Sequence, residues 1–182
     1  NPAHPDTVYA ACGNLNSPDH GLYRTRDGGQ NWTRMEQLYI VPSIYRGKAL
    51  LSLCESQPDV VMASIGNGGL GGNATWLVRS EDGGRTWRKI KGGLPGGDLG
   101  RIGLAAAPSA PNIIYAIVEA NDKDKGVYHS TDFGESWDKR SDHMTQSPQY
   151  YNELYVDPNN SDRVYSVDTF THVSEDGGAR WD

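Results

Sequence analysis

Short runs of alternating apolar and polar residues, each broken by a turn signal, account for most of this chain. Four of them share one shape: Pro5-Asp-Thr-Val-Tyr9-Ala, Pro58-Asp-Val-Val-Met62-Ala, Pro111-Asn-Ile-Ile-Tyr115-Ala and Asn160-Ser-Asp-Arg-Val-Tyr165-Ser. Each leaves a turn residue and passes into β-branched or aromatic positions at period two, the pattern of a strand with at least one buried face. A further strand is expected ahead of three of them, over Leu50 to Cys54, Ile102 to Ala106 and Leu154 to Asp157. No segment shows a helical period of apolar residues. An all-β fold follows.

Beyond each of these runs an eight-residue pattern recurs: Thr25-Arg-Asp27-Gly-Gly29-Gln-Asn-Trp32, Ser80-Glu-Asp82-Gly-Gly84-Arg-Thr-Trp87, Ser130-Thr-Asp132-Phe-Gly134-Glu-Ser-Trp137 and Ser174-Glu-Asp176-Gly-Gly178-Ala-Arg-Trp181. The aspartates stand 55, 50 and 44 residues apart, which matches a propeller blade of roughly 40–50 residues. The residue types suit a tight hairpin. The carboxylate accepts amides of its own turn, the second glycine supplies a positive φ, the Ser or Thr hydroxyl bonds across the turn, and the indole covers it. These are expected to be structural residues and not metal ligands, because a calcium loop needs a longer run of oxygen donors.

Each unit reads as four antiparallel strands, A to D, with the eight-residue box between C and D. The units span approximately 1–35, 49–90, 101–140 and 153–182 of one propeller segment. The first reads without strand A and the last barely enters strand D. Propellers close with ~4–8 blades, so the expectation is an incomplete arc of a larger propeller whose neighbours are the remaining blades of the same protein.

Composition changes this picture little. The 22 glycines and 10 prolines would suggest disorder were they not fixed beside tryptophans and β-branched residues. A net charge of −6 argues against nucleic acid or an anionic membrane as partner, and no apolar stretch is long enough to span a bilayer as a helix. Cys12 and Cys54 read as free thiols or, in a secreted protein, as one bridge between blades. The histidines have no metal-ligand spacing, and the glycine-rich stretch from Gly66 to Gly72 lacks the helix and Lys-Ser/Thr ending of a nucleotide loop. No cofactor is expected.

The boxes resemble the Asp-box (BNR) repeat of sialidases, xyloglucanase-type glycosidases, the sortilin ectodomain and a photosystem assembly factor family. That motif marks a blade and not an activity. Leu94-Pro-Gly-Gly-Asp-Leu-Gly-Arg101-Ile-Gly-Leu-Ala, Ile114-Tyr-Ala-Ile-Val-Glu119-Ala, Lys139-Arg-Ser-Asp, Pro148-Gln-Tyr-Tyr-Asn-Glu153 and Asp162-Arg-Val-Tyr-Ser-Val-Asp168-Thr-Phe are further similar to large bacterial sortilin-like or BNR-repeat "glycosyl hydrolase" proteins. That resemblance implies an exported protein, extracellular or periplasmic, with a loose connection to carbohydrate.

Strand order divides the loops between two faces. A–B and C–D turns share one, while B–C loops and D–A linkers share the other, where ligand-binding residues are expected. The B–C loops carry Asn14, His20, Asn67, Glu119, Asn121 and Asp168; the linkers carry Tyr45, Arg46, Arg101, Tyr150, Tyr151, Asn152 and Glu153. Arg46, Arg101, Tyr150, Tyr151 and Asn152 are the candidate ligand contacts, since aromatic rings beside guanidinium and amide groups suit sugar or peptide recognition. Glycoside hydrolysis needs two flanking carboxylates, for which Glu119, Glu153 and Asp168 are the candidates. The alternative is that the arginines pair with Glu153 or Asp168 as bridges between blades. The leading expectation is a binding or assembly module for a protein or glycan, and the other is a glycoside hydrolase, sialidase- or xyloglucanase-like.

Overall fold

The computed structural model describes residues 1, 3–12, 21–35, 48–53, 57–66, 75–90, 92–148 and 150–182. Asn14, His20, Tyr45, Arg46, Cys54 and Asn67, singled out above, lie outside them. Among the described residues fourteen strands and no helix are formed. The first sheet holds β1 (Val8–Cys12), β2 (Gly21–Thr25) and β3 (Thr33–Arg34). The second holds β4 (Lys48–Leu53), β5 (Val61–Gly66), β6 (Trp76–Ser80) and β7 (Arg88–Lys89). The third holds β8 (Ile102–Ala106), β9 (Ile114–Val118), β10 (Gly126–Ser130) and β11 (Asp138–Ser141), and the fourth β12 (Glu153–Asp157), β13 (Asn160–Val167) and β14 (Thr171–Ser174). Strands within each sheet are adjacent in chain order and antiparallel throughout. Asp182 exchanges backbone hydrogen bonds with Val173, the opening of a further edge on the fourth sheet.

Neighbouring sheets pack in chain order: β1 on β4, β4 and β5 on β8, β8 and β9 on β12. Among the described residues no comparable packing joins the first sheet to the last, so the sheets form an open arc. Three apolar cores fill the three boundaries. Leu22, Met35, Ala63 and Val78 lie in the first, Met62, Leu77, Ile102, Ile114 and Trp137 in the second, and Tyr115, Ile117, Val127, Leu154 and Val164 in the third. Each large side chain so buried stabilises by about 1.5–3 kcal/mol. Every residue of β5 and β9 is buried, because sheets lie on both sides of them. The alternation expected over these stretches therefore gives way to burial on both faces.

The four boxes close the hairpins as their residue types demand. The hydroxyls of Thr25, Ser80, Ser130 and Ser174 donate to Asp27, Asp82, Asp132 and Asp176, and accept the amides of Gly29, Gly84, Gly134 and Gly178 at 2.8–3.0 Å. The indole N–H groups of Trp32, Trp87, Trp137 and Trp181 donate to the carbonyls of the same glycines at 3.0–3.1 Å. Bonds from Thr25 and Asn31 hold the Asp27 carboxyl down at about 2. At Asp82 burial pushes upward, but bonds from Thr86, Ser80 and Arg85 outweigh it and the carboxyl also sits at about 2. The residue ahead of each of these glycines is left-handed as well, which puts Phe133 at φ 59 where the other boxes have glycine.

The second, third and fourth boxes also touch the sheet before them. A Cβ on Gly84 would meet the Met35 sulfur, one on Gly134 the Met62 sulfur, and one on Gly178 a Val127 methyl. Trp137 is accordingly 3% exposed, whereas Trp32, with no earlier sheet against it among the described residues, is 43% exposed. Arginines latch the boundaries. Arg24 donates to the Gly83 carbonyl, Arg79 to that of Phe133 at 3.0 Å, and Arg140 to that of Gly177 at 3.1 Å. At the third boundary His143 stacks on Trp181 with centroids 4.2 Å apart and meets His172 edge-on at 5.2 Å. Burial, and then the neighbouring His172, push His143 down to about 4.

Candidate functional site

Two sets of hydrogen bonds fix the faces. Gly28, Gly83, Phe133 and Gly177 donate their amides to the carbonyls of Asp6, Asp59, Asn112 and Asp162, so each box is tied to the turn before its own strand B or, in the fourth unit, to the start of that strand. On the opposite face Gln146 of the linker donates its amide to Asp168 of a B–C turn at 2.8 Å. Linkers and B–C turns therefore meet where the strand order puts them.

Glu119 follows directly on β9 and is buried. Its carboxylate accepts the Arg101 amide at 2.8 Å, while the two backbones pair through Gly100 to Glu119 at 2.8 Å and Glu119 to Arg101 at 3.0 Å. The group is spent on holding the entrance of β8. A Cβ on Gly100 would stand 2.1 Å from the Glu119 carboxylate. Gly100→Ala is thus expected to destabilise by about 2 kcal/mol, and Gly100→Ala combined with Glu119→Ala by less than the two losses added; urea titrations of the three variants measure this.

Asp168 is engaged in the same manner. It accepts the amides of Phe170 at 2.7 Å and Gln146 at 2.8 Å, and those bonds, Phe170 first, lower its pKa. Asn152 is fully buried: its amide donates to the carbonyls of Arg101 at 2.8 Å and Ile117 at 3.1 Å and accepts from Thr145 at 3.2 Å. Asn152, expected among the ligand contacts, thus has its polar atoms turned to interior partners. In sequence Glu119, Asp168 and Asn152 look like free polar groups on loops. Apart from Phe170, two residues beyond Asp168, their partners lie on other sheets or linkers, which no local signal announces.

Arg101, Glu153, Tyr150 and Tyr151 remain together at the linker edge. Arg101 donates to the Tyr150 carbonyl at 2.6 Å and reaches Glu153 at 3.7 Å, so it does form a bridge between sheets. Glu153 also accepts the Tyr155 hydroxyl at 3.0 Å. The rings of Tyr150 and Tyr151 lie 6.3 Å apart at 53° and are 65% and 47% exposed. Tyr155 and Glu153 point to the side of the fourth sheet away from the third, and Tyr155 is 55% exposed. Tyr115, at the position matching Tyr165 on that same side, is fully buried by the next sheet. Among the described residues no group of three His, Cys, Asp or Glu side chains is arranged to hold a metal.

Successive antiparallel sheets packed face to face, each with an Asp-box hairpin at one corner, define β-propeller blades of the Asp-box class. The family model described as BNR/Asp-box repeat matches residues 128–139, the third box. No curated protein matches the sequence. Among solved structures, the GH74 xyloglucanase from Xanthomonas campestris is similar over 100% of this chain and 29% of its own, with a TM-score of 0.72 and 20% identity. The GH74 enzyme of Niastella koreensis aligns over 97% of this chain and 27% of its own (TM-score 0.65, 18% identity). YCF48 bound to a D1 peptide aligns over 98% and 49% (TM-score 0.60, 21% identity). At these identities the likeness is one of fold. This chain spans less than half the length of each, and none of its described helices is long and apolar enough to cross a membrane, there being none.

Proposed function

We propose that this chain is one arc of a larger propeller that acts as a binding or assembly module, taking a glycan or protein partner at its linker edge. The observation that carries this is the pair of exposed rings, Tyr150 and Tyr151, held on a rigid base of buried Asn152, Glu119 and the Arg101 bridge. Aromatic faces with a polar rim, carried on an anchored backbone, suit sugar or peptide recognition. The uncovered side of the fourth sheet, with Tyr155 and Glu153, is read as the seat of a further blade. Both ligand classes occur among proteins of similar fold, one named as a xyloglucanase and another solved with a peptide. The resemblance to exported bacterial propellers adds an extracytoplasmic address, which fractionation of the native cells checks.

The test is a panel of glycans and peptides screened against the wild type, then against Tyr150→Ala/Tyr151→Ala. Loss of two central rings is expected to weaken the best ligand roughly 30-fold or more. An unchanged affinity would remove the linker edge from consideration. The GH74 likeness favours a second reading, a glycoside hydrolase in which the arc forms one wall of a cleft. Glu119 and Asp168, occupied by backbone amides, support the binder; Glu153 is the carboxylate left for chemistry. Turnover of a glycan by the full-length protein that disappears in Glu153→Gln would favour the enzyme.

A further inference from the structure

Three boundaries between neighbouring sheets repeat one geometry, so each serves as a control for the others. At the second, Arg79 is buried, donates to the Phe133 carbonyl, and has its charge met by Glu81 and Glu135; Glu135 also pairs with Arg88. The positions matching Arg79, Glu81 and Glu135 at the first boundary are Arg24, Arg26 and Arg85. Arg24 makes the same donation, to the Gly83 carbonyl. Both carboxylate positions, however, hold guanidinium groups. At the third boundary the matching residues are His129, Thr131 and Ala179, so neither pattern is there.

The consequence is a cluster of three guanidiniums with no direct salt bridge, although the carboxylates of Asp6 and Asp59 stand in the same cleft. Among the described residues no carboxylate forms an ion pair with Arg24, Arg26 or Arg85. Burial, and after it the charges of Arg26 and Arg85, push Arg24 below the ordinary arginine value against the opposing pull of Tyr9 and Asp82. The three guanidiniums line a cleft of about 520 Å³ together with Tyr9, Asp6 and Asp59. A Cβ placed on Gly83 would lie 3.1 Å from the Asp59 carboxylate, 3.3 Å from the Tyr9 hydroxyl and 3.8 Å from Arg24, which puts one carboxylate and that hydroxyl beside the latch.

We propose that this cleft, on the Asp-box face and independent of the linker edge, binds a phosphate monoester whose dianionic head sits among Arg24, Arg26 and Arg85. A carboxylate offers two oxygens and one charge. A phosphate offers three oxygens and roughly −2, which suits several converging guanidinium forks. The two aspartates of the lining and the net charge of −6 disfavour an extended polyanion, and the cleft has room for an organic group beyond the head.

The test titrates the whole chain with inorganic phosphate, glycerol 3-phosphate, sulfate and acetate at constant ionic strength, by calorimetry and by Tm. Glycerol 3-phosphate is expected to bind more tightly than inorganic phosphate and acetate, and to raise Tm with concentration. Arg26→Glu/Arg85→Glu writes the carboxylates of the second boundary into the first. It is expected to lose at least about tenfold in affinity while its Tm without ligand equals or exceeds that of the wild type. Arg85→Gln is expected to lose affinity partially and keeps the test open if the double variant folds poorly. Glycerol 3-phosphate binding no tighter than inorganic phosphate overturns the monoester assignment. Acetate binding as well as phosphate, or unchanged affinity in both variants, overturns the site.

Discussion

Replacing Trp137 by alanine is expected to lower the free energy of unfolding by about 3–5 kcal/mol, and the same replacement at Trp32 by less than half as much. The two indoles make the same bond to a glycine carbonyl, at 3.1 Å and 3.0 Å. What separates them is surroundings: Trp137 packs in the second core with Met62, Leu77 and Ile90, whereas Trp32 is 43% exposed. Truncating Trp137 opens a cavity between two sheets that the backbone cannot collapse into, because Gly93 is seated against the Trp137 carbonyl. Truncating Trp32 mainly uncovers a hairpin. Denaturant midpoints of both variants decide the matter. Equal losses would show that the indole serves only its own turn.

Stability is also expected to fall in two stages on acidification. His143 titrates near 6.5 in an unfolded chain and at about 4 in the folded one. Between those values the unfolded chain holds a proton that the folded chain excludes, so stability is complete above pH ~6.5 and declines as pH drops toward 4. The shift corresponds to a ceiling of about 3 kcal/mol, the actual loss being smaller where solvent reaches the ring. Asp27 and Asp82, held at about 2, act in the same direction lower down: their contribution is present above pH ~3.8 and fades as pH approaches 2. Urea midpoints at pH 7, 5 and 3 measure both stages. His143→Phe keeps the stacking on Trp181 and removes the proton, so it should abolish the first stage alone; a first stage that persists in that variant places its origin elsewhere.

The hairpins were legible in the sequence because their chemistry is local. A hydroxyl, a carboxylate, a glycine and an indole within eight residues contain nearly all of their own bonding partners. Strand order and the division of loops between two faces followed from the same periodicity. Long-range bonding was not legible. Glu119 finds the Arg101 amide 18 residues away and Asp168 finds the Gln146 amide 22 residues away, so both candidate carboxylates are also tied into the backbone. Asn152 reaches Ile117 across 35 residues and disappears inside. The latches left a partial trace, since an arginine precedes the hydroxyl residue in the first two boxes. In the third, His129 stands there, and Arg140 from the adjacent strand donates in its place.

Among the described residues every boundary between sheets carries its own core, its own latch and its own indole, and the main packing runs from one sheet to the next. Cohesion is therefore a nearest-neighbour property, summed along a row. Such a row lengthens by duplication of a whole sheet without disturbing any other joint, and each new joint is free to trade its internal charge balance for an outside ion.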